Sequence, residues 1–348
     1  MSQATLTAPT PHADERVKRV SPLRKLLARP ELGSLVGAIA IYVFFYAIAS
    51  SFRSADSLST ILYQSSTYGI MVVGVSLLMI GGEFDLSAGV AVTTSALTAS
   101  LVAFELTLNI WVGVLVGLLF SLLIGFFNGY VTTKTRIPSF LVTLGTFFMF
   151  QGLNIAVTQG LTNAVASPDI ADMDGYKVAQ AVFASQFTIF GVSVWITVVY
   201  WIVFVAIATW VLLRTKVGNW IFAVGGDAES ARAVGVPVMK TKIGLFMTVG
   251  FLAWFSGMHL LFRFDTVQSN GGVGNEFIYI IAAVIGGCLL TGGYGTAVGA
   301  AIGAFIYGMG SQGIVYAGWN ANLKFFFLGV LLLAATLANL WFQKRTRK

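Results

Sequence analysis

Long stretches of this chain carry no charge, and that absence constrains the fold more than any motif does. Cutting the sequence at every Asp, Glu, Lys and Arg leaves nine long uncharged blocks: 32–52, 57–82, 86–104, 106–133, 137–168, 178–213, 243–262, 277–323 and 325–343. A helix needs ~20 apolar residues to cross about 30 Å of hydrocarbon, and each block reaches or nearly reaches that length. The block 277–323 is too long for one crossing and is broken by TGGYG at 291–295, so the blocks yield ten spans. Buried helices of a large soluble protein would be shorter and show a polar face. Composition agrees: 57% of residues are hydrophobic and 10% charged, against roughly 25% charged in soluble proteins. The expected fold class is all-α, a polytopic membrane protein of about ten transmembrane helices. The expected spans are 35–52, 60–80, 87–104, 108–130, 137–157, 189–213, 243–262, 277–290, 296–316 and 325–342.

Net charge is +7, which in a soluble chain would suggest nucleic acid. The distribution argues for a bilayer instead. With ten spans and the N-terminus inside, 17 Lys and Arg fall on the inner side, and only Arg53, Lys177, Arg263 and Lys324 fall outside. Acidic residues split evenly, so the bias belongs to the basic residues, and it places both termini in the cytoplasm. The sequence then divides into a cytoplasmic tail 1–34, a ten-span domain 35–342 and a basic cytoplasmic tail 343–348. Two connections are long: 158–188 outside and 214–242 inside. The polar, basic start reads as a tail before a first span rather than a cleaved signal peptide. The one cysteine, Cys288, excludes a disulfide within the chain.

Glycine-rich turns interrupt this pattern twice, in IGGEFDLSAG after the second span and TGGYGTAVG after the eighth. A carboxylate at a helix centre costs about 2.5–3.5 kcal/mol on insertion scales, which places Glu83 and Asp85 in a turn near the inner surface. There Asp85 or Ser87 can cap the third span while Gly81 and Gly82 end the second. The alternative is a role in substrate passage or gating, as in half-buried turns around broken helices. Gly295, Gly299 and Gly303, four residues apart, suit close helix packing within the bundle, with a subunit interface as the alternative.

Ten spans with short connections point to transport. Ion-coupled carriers place ionisable residues inside their spans, whereas here only His259 lies in one, near its outer end, and it reads as an interfacial or packing residue. No catalytic triad, metal cluster or P-loop is present, so no enzymatic activity, cofactor or metal is expected. Energy must come from another subunit. The loop RTKVGNWIFAVGGDAESARAVGVPVMKTK at 214–242 offers a place for it. Asp227 is a good N-cap, Ala228 to Val234 can form two helical turns, and Gly235 is a natural stop. A short helix lying along the cytoplasmic face suits docking, or a plain interfacial linker.

AVGGDAESARAVGV resembles the cytoplasmic coupling segment of the permease subunits of ribose-type sugar ABC importers. The resemblance extends through IGGEFDLSAG, NGYVTTKTRIPSFLVTLGT (128–146) and AAVIGGCLLTGGYGTAVGAAIGA (282–304), over roughly residues 60–340. Asp85 and Ser87 match the family pattern, and Glu83 is an added charge where the family more often has a single apolar residue. The resemblance implies an inner-membrane permease that pairs with a second copy or a paralogue. Two cytoplasmic ATP-binding subunits would drive it, and a periplasmic binding protein would deliver a monosaccharide or polyol. It marks Gly226, Asp227, Glu229, Arg232 and Gly235 as coupling residues. Uncharged polar residues in spans, Gln64, Asn128, Gln151, Asn154 and Gln312, are candidates to line the path alongside Glu83, Asp85 and Ser87, or serve as interhelical hydrogen-bond partners. The rivals are a stand-alone facilitator or secondary carrier of a small polar solute, and a membrane scaffold or receptor.

Overall fold

The computed structural model describes residues 30–107 and 109–346. The expected tail 1–34 therefore lies almost wholly outside the described residues, as do the last two residues. Thirteen helices and one hairpin follow in order: α1 (Pro30–Ile48), α2 (Ala55–Ile80), α3 (Ala88–Glu105), α4 (Ile110–Thr135), α5 (Ser139–Thr162), α6 (Tyr176–Phe183), β1 (Gln186–Ile189), β2 (Val192–Trp195), α7 (Ile196–Arg214), α8 (Lys216–Gly226), α9 (Ala228–Ala233), α10 (Val238–Phe264), α11 (Asn275–Ile285), α12 (Ala297–Tyr316) and α13 (Leu323–Thr346). A 3-10 turn, Ser50–Arg53, joins α1 to α2. Among the described residues, eight helices, α1 to α5, α7, α10 and α12, are long and apolar enough to cross a bilayer. The chain is an all-α polytopic membrane protein.

Helices α2, α3 and α10 form the centre, with 72%, 78% and 72% of their apolar windows buried, whereas α1 and α5 stand at the rim with 17% each. Glycine and serine determine which helices can be central, because small residues let backbones touch where lipid supplies no hydrophobic attraction between helices. A side-chain carbon at Gly125 of α4 would strike the Phe246 carbonyl of α10, and one at Gly250 of α10 would strike the Ser121 carbonyl of α4. The Ser121 hydroxyl donates to the Gly250 carbonyl at 2.7 Å. On α12, Gly299 and Gly303 sit against the backbone of α11 at Gly286 and Ala282, so this glycine run serves packing inside the subunit.

Two expected spans are corrected. The stretch 277–290 does not form a full span. The helix there, α11, has 11 residues, about 16 Å at 1.5 Å per residue, and Gly287 ends it at φ +95°. The sixth span begins at Ile196 instead of 189 because Gln186–Trp195 forms an antiparallel hairpin. Its tip, Phe190-Gly191, has φ +49° and +82°, the two positive values of a tight hairpin turn. The long connection after α5 is ordered: Ser167 donates to the Val267 carbonyl at 2.9 Å and Ile170 to the Asp265 carbonyl at 3.2 Å. His259 is buried, with Nδ1 2.9 Å from the Phe183 carbonyl and Nε2 3.2 Å from the Tyr63 hydroxyl.

Candidate coupling and translocation site

The 214–242 segment is more structured than its sequence suggests. Thr215 caps α8 by accepting from the Gly218 amide at 3.2 Å, and Ile221 and Val224 anchor that helix in the protein. Asp227 then caps α9, accepting from the amides of Glu229 at 2.9 Å and Ser230 at 3.0 Å. Those amides hold its carboxyl below the ordinary value. Gly235, at φ +86°, ends the element, with its amide donating to the Arg232 carbonyl at 3.0 Å. Val224, Ala231 and Val238 form a small apolar cluster that pins α9 between α8 and α10. Gly226, Asp227, Glu229, Arg232, Val234 and Gly235 remain exposed at one end of the bundle. All five expected coupling residues therefore share one surface. Val234, 80% exposed, adds an apolar tip that the sequence reading did not single out.

The approach to α9 meets both glycine turns. A side-chain carbon at Gly225 would overlap the Ile80 carbonyl, and one at Gly292 would lie 2.6 Å from the Gly82 Cα. The Gly293 amide donates to the same Ile80 carbonyl at 2.8 Å. Gly82, Gly292 and Gly293 have φ between +72° and +83°, a conformation that disfavours a Cβ.

From this junction the 81–87 turn runs between helices. Ser139 and Thr143 of α5 accept from the Phe84 and Leu86 amides, each at 3.0 Å. Asp85 Oδ1 accepts from the Ser87 amide at 2.8 Å and the Ser87 hydroxyl at 2.6 Å. Asn128 of α4 donates to that hydroxyl at 2.9 Å. Ser87 is the N-cap residue of α3 but makes no capping bond of its own; of the two expected caps it is Asp85, two residues earlier, whose carboxylate holds the start of the helix. Glu83 forms an ion pair with Lys242 of α10. The sequence reading placed Lys242 in the loop and gave it no partner.

The remaining path residues do not converge. Asp85, Ser87 and Asn128 form one buried network. Gln64 and Ser311 stand beside Tyr307, whose ring packs edge-on against Tyr68 at 4.8 Å, with Tyr279 6.0 Å from Tyr68. Gln312, half-buried, follows on α12. Asn154 lines a separate cavity of about 400 Å³ between α3 and α5, with Thr94, Thr98 and Thr158 among apolar side chains. Gln151, one turn before Asn154, is half-buried.

Sequence reasoning missed Glu276 in the first turn of α11. It is 2% exposed, and both its oxygens accept from the Gly274 amide at 3.1 Å. A side-chain carbon at Gly89, in the first turn of α3, would strike the Glu276 carboxylate and the Gly272 carbonyl. The starts of α3 and α11 therefore touch. One signal was available: Glu276 is the only charged residue between Asp265 and Lys324. Nothing in these groups forms a nucleophile–base pair.

Among characterised proteins, the chain is 31% identical over 320 residues to the probable ABC transporter permease protein YphD of Escherichia coli K12, covering 91% of this chain and 92% of that one. It is 30% identical over 313 residues to the ribose import permease protein RbsC of the same strain, covering 89% and 93%. To the fructose import permease protein FrcC of Rhizobium meliloti it is 27% identical over 316 residues, covering 89% and 85%. No solved structure matches the chain. A family described as "Branched-chain amino acid transport system / permease component" matches residues 57–336, and with full-length permease relatives on the same footing the chain belongs to that family.

Proposed function

We propose that the chain is the membrane subunit of an ATP-driven, binding-protein-dependent importer that carries a monosaccharide or related polyol across the bacterial inner membrane. The observation that carries this is α9: a helix capped at both ends, exposed along Glu229, Arg232 and Val234, and entered from the end of α8, whose Gly225 and Gly226 lie against the two glycine turns of the bundle. On this reading the α9 end faces the cytoplasm and docks one of two ATP-binding subunits, while residues 35–342 form the permease domain with a second copy or a paralogue. The Asp85–Ser87–Asn128 network and the Gln64 and Gln312 side chains belong to the gate and path. A binding protein delivers substrate at the hairpin end.

The relatives named for ribose and fructose support a sugar, and the interior chemistry favours one over the amino acids of the family description. An amino acid brings both a carboxylate and an ammonium, which inside a membrane need fixed countercharges. The buried polar groups here are mainly amides and hydroxyls, suited to a neutral polyhydroxylated solute. Two measurements test the proposal. The chain should co-purify with an ATP-binding subunit, and a sugar should raise the melting temperature of its binding protein in a thermal-shift screen. Solute flux in proteoliposomes containing the chain alone, without ATP, would establish a stand-alone facilitator instead.

A further inference from the structure

We infer that Gly225 and Gly292 are positioning residues of the coupling step, locking the end of α8, which leads directly into α9, to both glycine turns so that a displacement of α9 moves the 81–87 turn and the 286–296 turn as one body. The inference rests on the importer reading above and names the part of the permease through which force passes.

Three strands of backbone meet at this point without intervening side chains. Gly225 lies against the Ile80 carbonyl, Gly292 against Gly82 and Gly225, and Gly293 against Gly226. The Gly293 amide fixes the Ile80 carbonyl at 2.8 Å. Close-packed interiors transmit strain, and a backbone contact has no rotamer with which to absorb it. Any shift of the Gly225-Gly226-Asp227 segment that leads into α9 is therefore passed to both turns.

Each turn adjoins a helix, and contacts at the starts of these helices close a ring. The first runs through Glu83, held by Lys242, and Asp85, held to Ser87, into α3. The second joins α11 to α12, where Thr296 caps α12 by accepting from the Gly299 amide at 3.0 Å. The starts of α3 and α11 then touch again at Gly89, Gly272 and Glu276. First turn, the start of α3, the 272–276 segment, α11 and second turn thus form one continuous circuit, and the glycine junction is the point where the α8–α9 segment enters it.

The test uses the chain assembled with its ATP-binding subunits in membranes, in a Cys288→Ser background, with Val273→Cys as reporter. Val273 is exposed and sits beside Gly272, on the far side of the circuit from α9. Maleimide labelling is timed with and without ATP plus vanadate. In the otherwise unsubstituted chain, nucleotide should change the labelling rate. Gly225→Ala should cut that response about tenfold, within the range by which residues along a coupling path alter coupling, while the ATP-binding subunit stays bound. Gly145→Ala, whose added methyl meets nothing within 4 Å, should keep the response. A Gly225→Ala complex that responds like the parent overturns the inference.

If Gly225→Ala does not insert, the ion pair provides the second arm. Lys242→Ala should lose the response and the exchanged pair Glu83→Lys/Lys242→Glu should regain it. A response unchanged by Lys242→Ala overturns the inference as well. Failure of the unsubstituted chain to capture an ATP-binding subunit is a different result, and it overturns the importer reading itself.

Discussion

Lys242 of α10 and Glu83 of the 81–87 turn form an ion pair across 159 residues of sequence. Their side chains are 17% and 9% exposed, so removing either partner leaves a shielded charge alone. Glu83→Ala and Lys242→Ala should each destabilise the purified protein by about 1–3 kcal/mol, the cost of an unpaired buried group. The double variant should lose less than the two single losses added together. Thermal unfolding in detergent reads all three, and strictly additive losses would show that the pair does not hold the turn.

Asp85 should matter more to transport than Glu83. Its Oδ1 holds both the amide and the hydroxyl of Ser87, and Asn128 depends on that hydroxyl in turn. Asp85→Ala should reduce uptake with the protein still inserted, whereas Glu83→Ala should be milder. Uptake by cells expressing equal amounts of each variant is the measurement. Parental uptake in Asp85→Ala would leave the network a structural turn only.

The proposed orientation, with both termini inside, can be read directly. In a Cys288→Ala background, Phe190→Cys at the fully exposed hairpin tip and Ser230→Cys on exposed α9 should label from opposite faces of the membrane. The hairpin should react in intact cells and α9 only after permeabilisation. Labelling of both from outside would overturn the cytoplasmic docking surface.

The shape of α9 should count for more than any one of its side chains. Gly235→Val forces a β-branched residue into φ +86°, a conformation that costs an L residue roughly 1–2 kcal/mol, and it redirects the exit from the helix. Arg232→Glu reverses an exposed charge. Both variants should insert normally and lower substrate-stimulated ATP hydrolysis about fivefold or more, the low end of typical coupling energies. Full stimulation with full retention of the ATP-binding subunit in both would make α9 a linker.

Docking through α9 should also be insensitive to pH across the neutral range. The Asp227 carboxyl is held below its ordinary value by the Ser230 and Glu229 amides. A lowered value means that the cap's contribution is complete above about pH 4, where a free Asp ionises, and is lost only as pH falls further. Retention of the ATP-binding subunit measured between neutral and mildly acidic pH should stay flat. Loss near neutral pH would point to another titrating group.

Spans and caps were legible in the sequence because they depend on local pattern. Asp227 and Gly235 were readable as the start and stop of a helix from their residue types alone. The hairpin was hidden because FTIFGVSVW is as apolar as a span, and only Phe190-Gly191 signals a turn. The short α11 was hidden for the same reason: hydropathy counts apolar residues but not where a backbone breaks. The Glu83–Lys242 pair, the Glu276 contact and the glycine junction join residues far apart in the chain. Their types were visible, but their proximity is a product of the fold.

The shortness of α11 bears on how the chain enters the membrane. Eleven residues are too few for a free-standing crossing, and the preceding 265–274 segment is not helical, so its backbone groups need partners elsewhere. Those groups find partners in part from residues 165–170, which are made earlier and must already be in place. The 275–316 portion is therefore expected to enter as one helical hairpin together with α12, a full-length apolar helix.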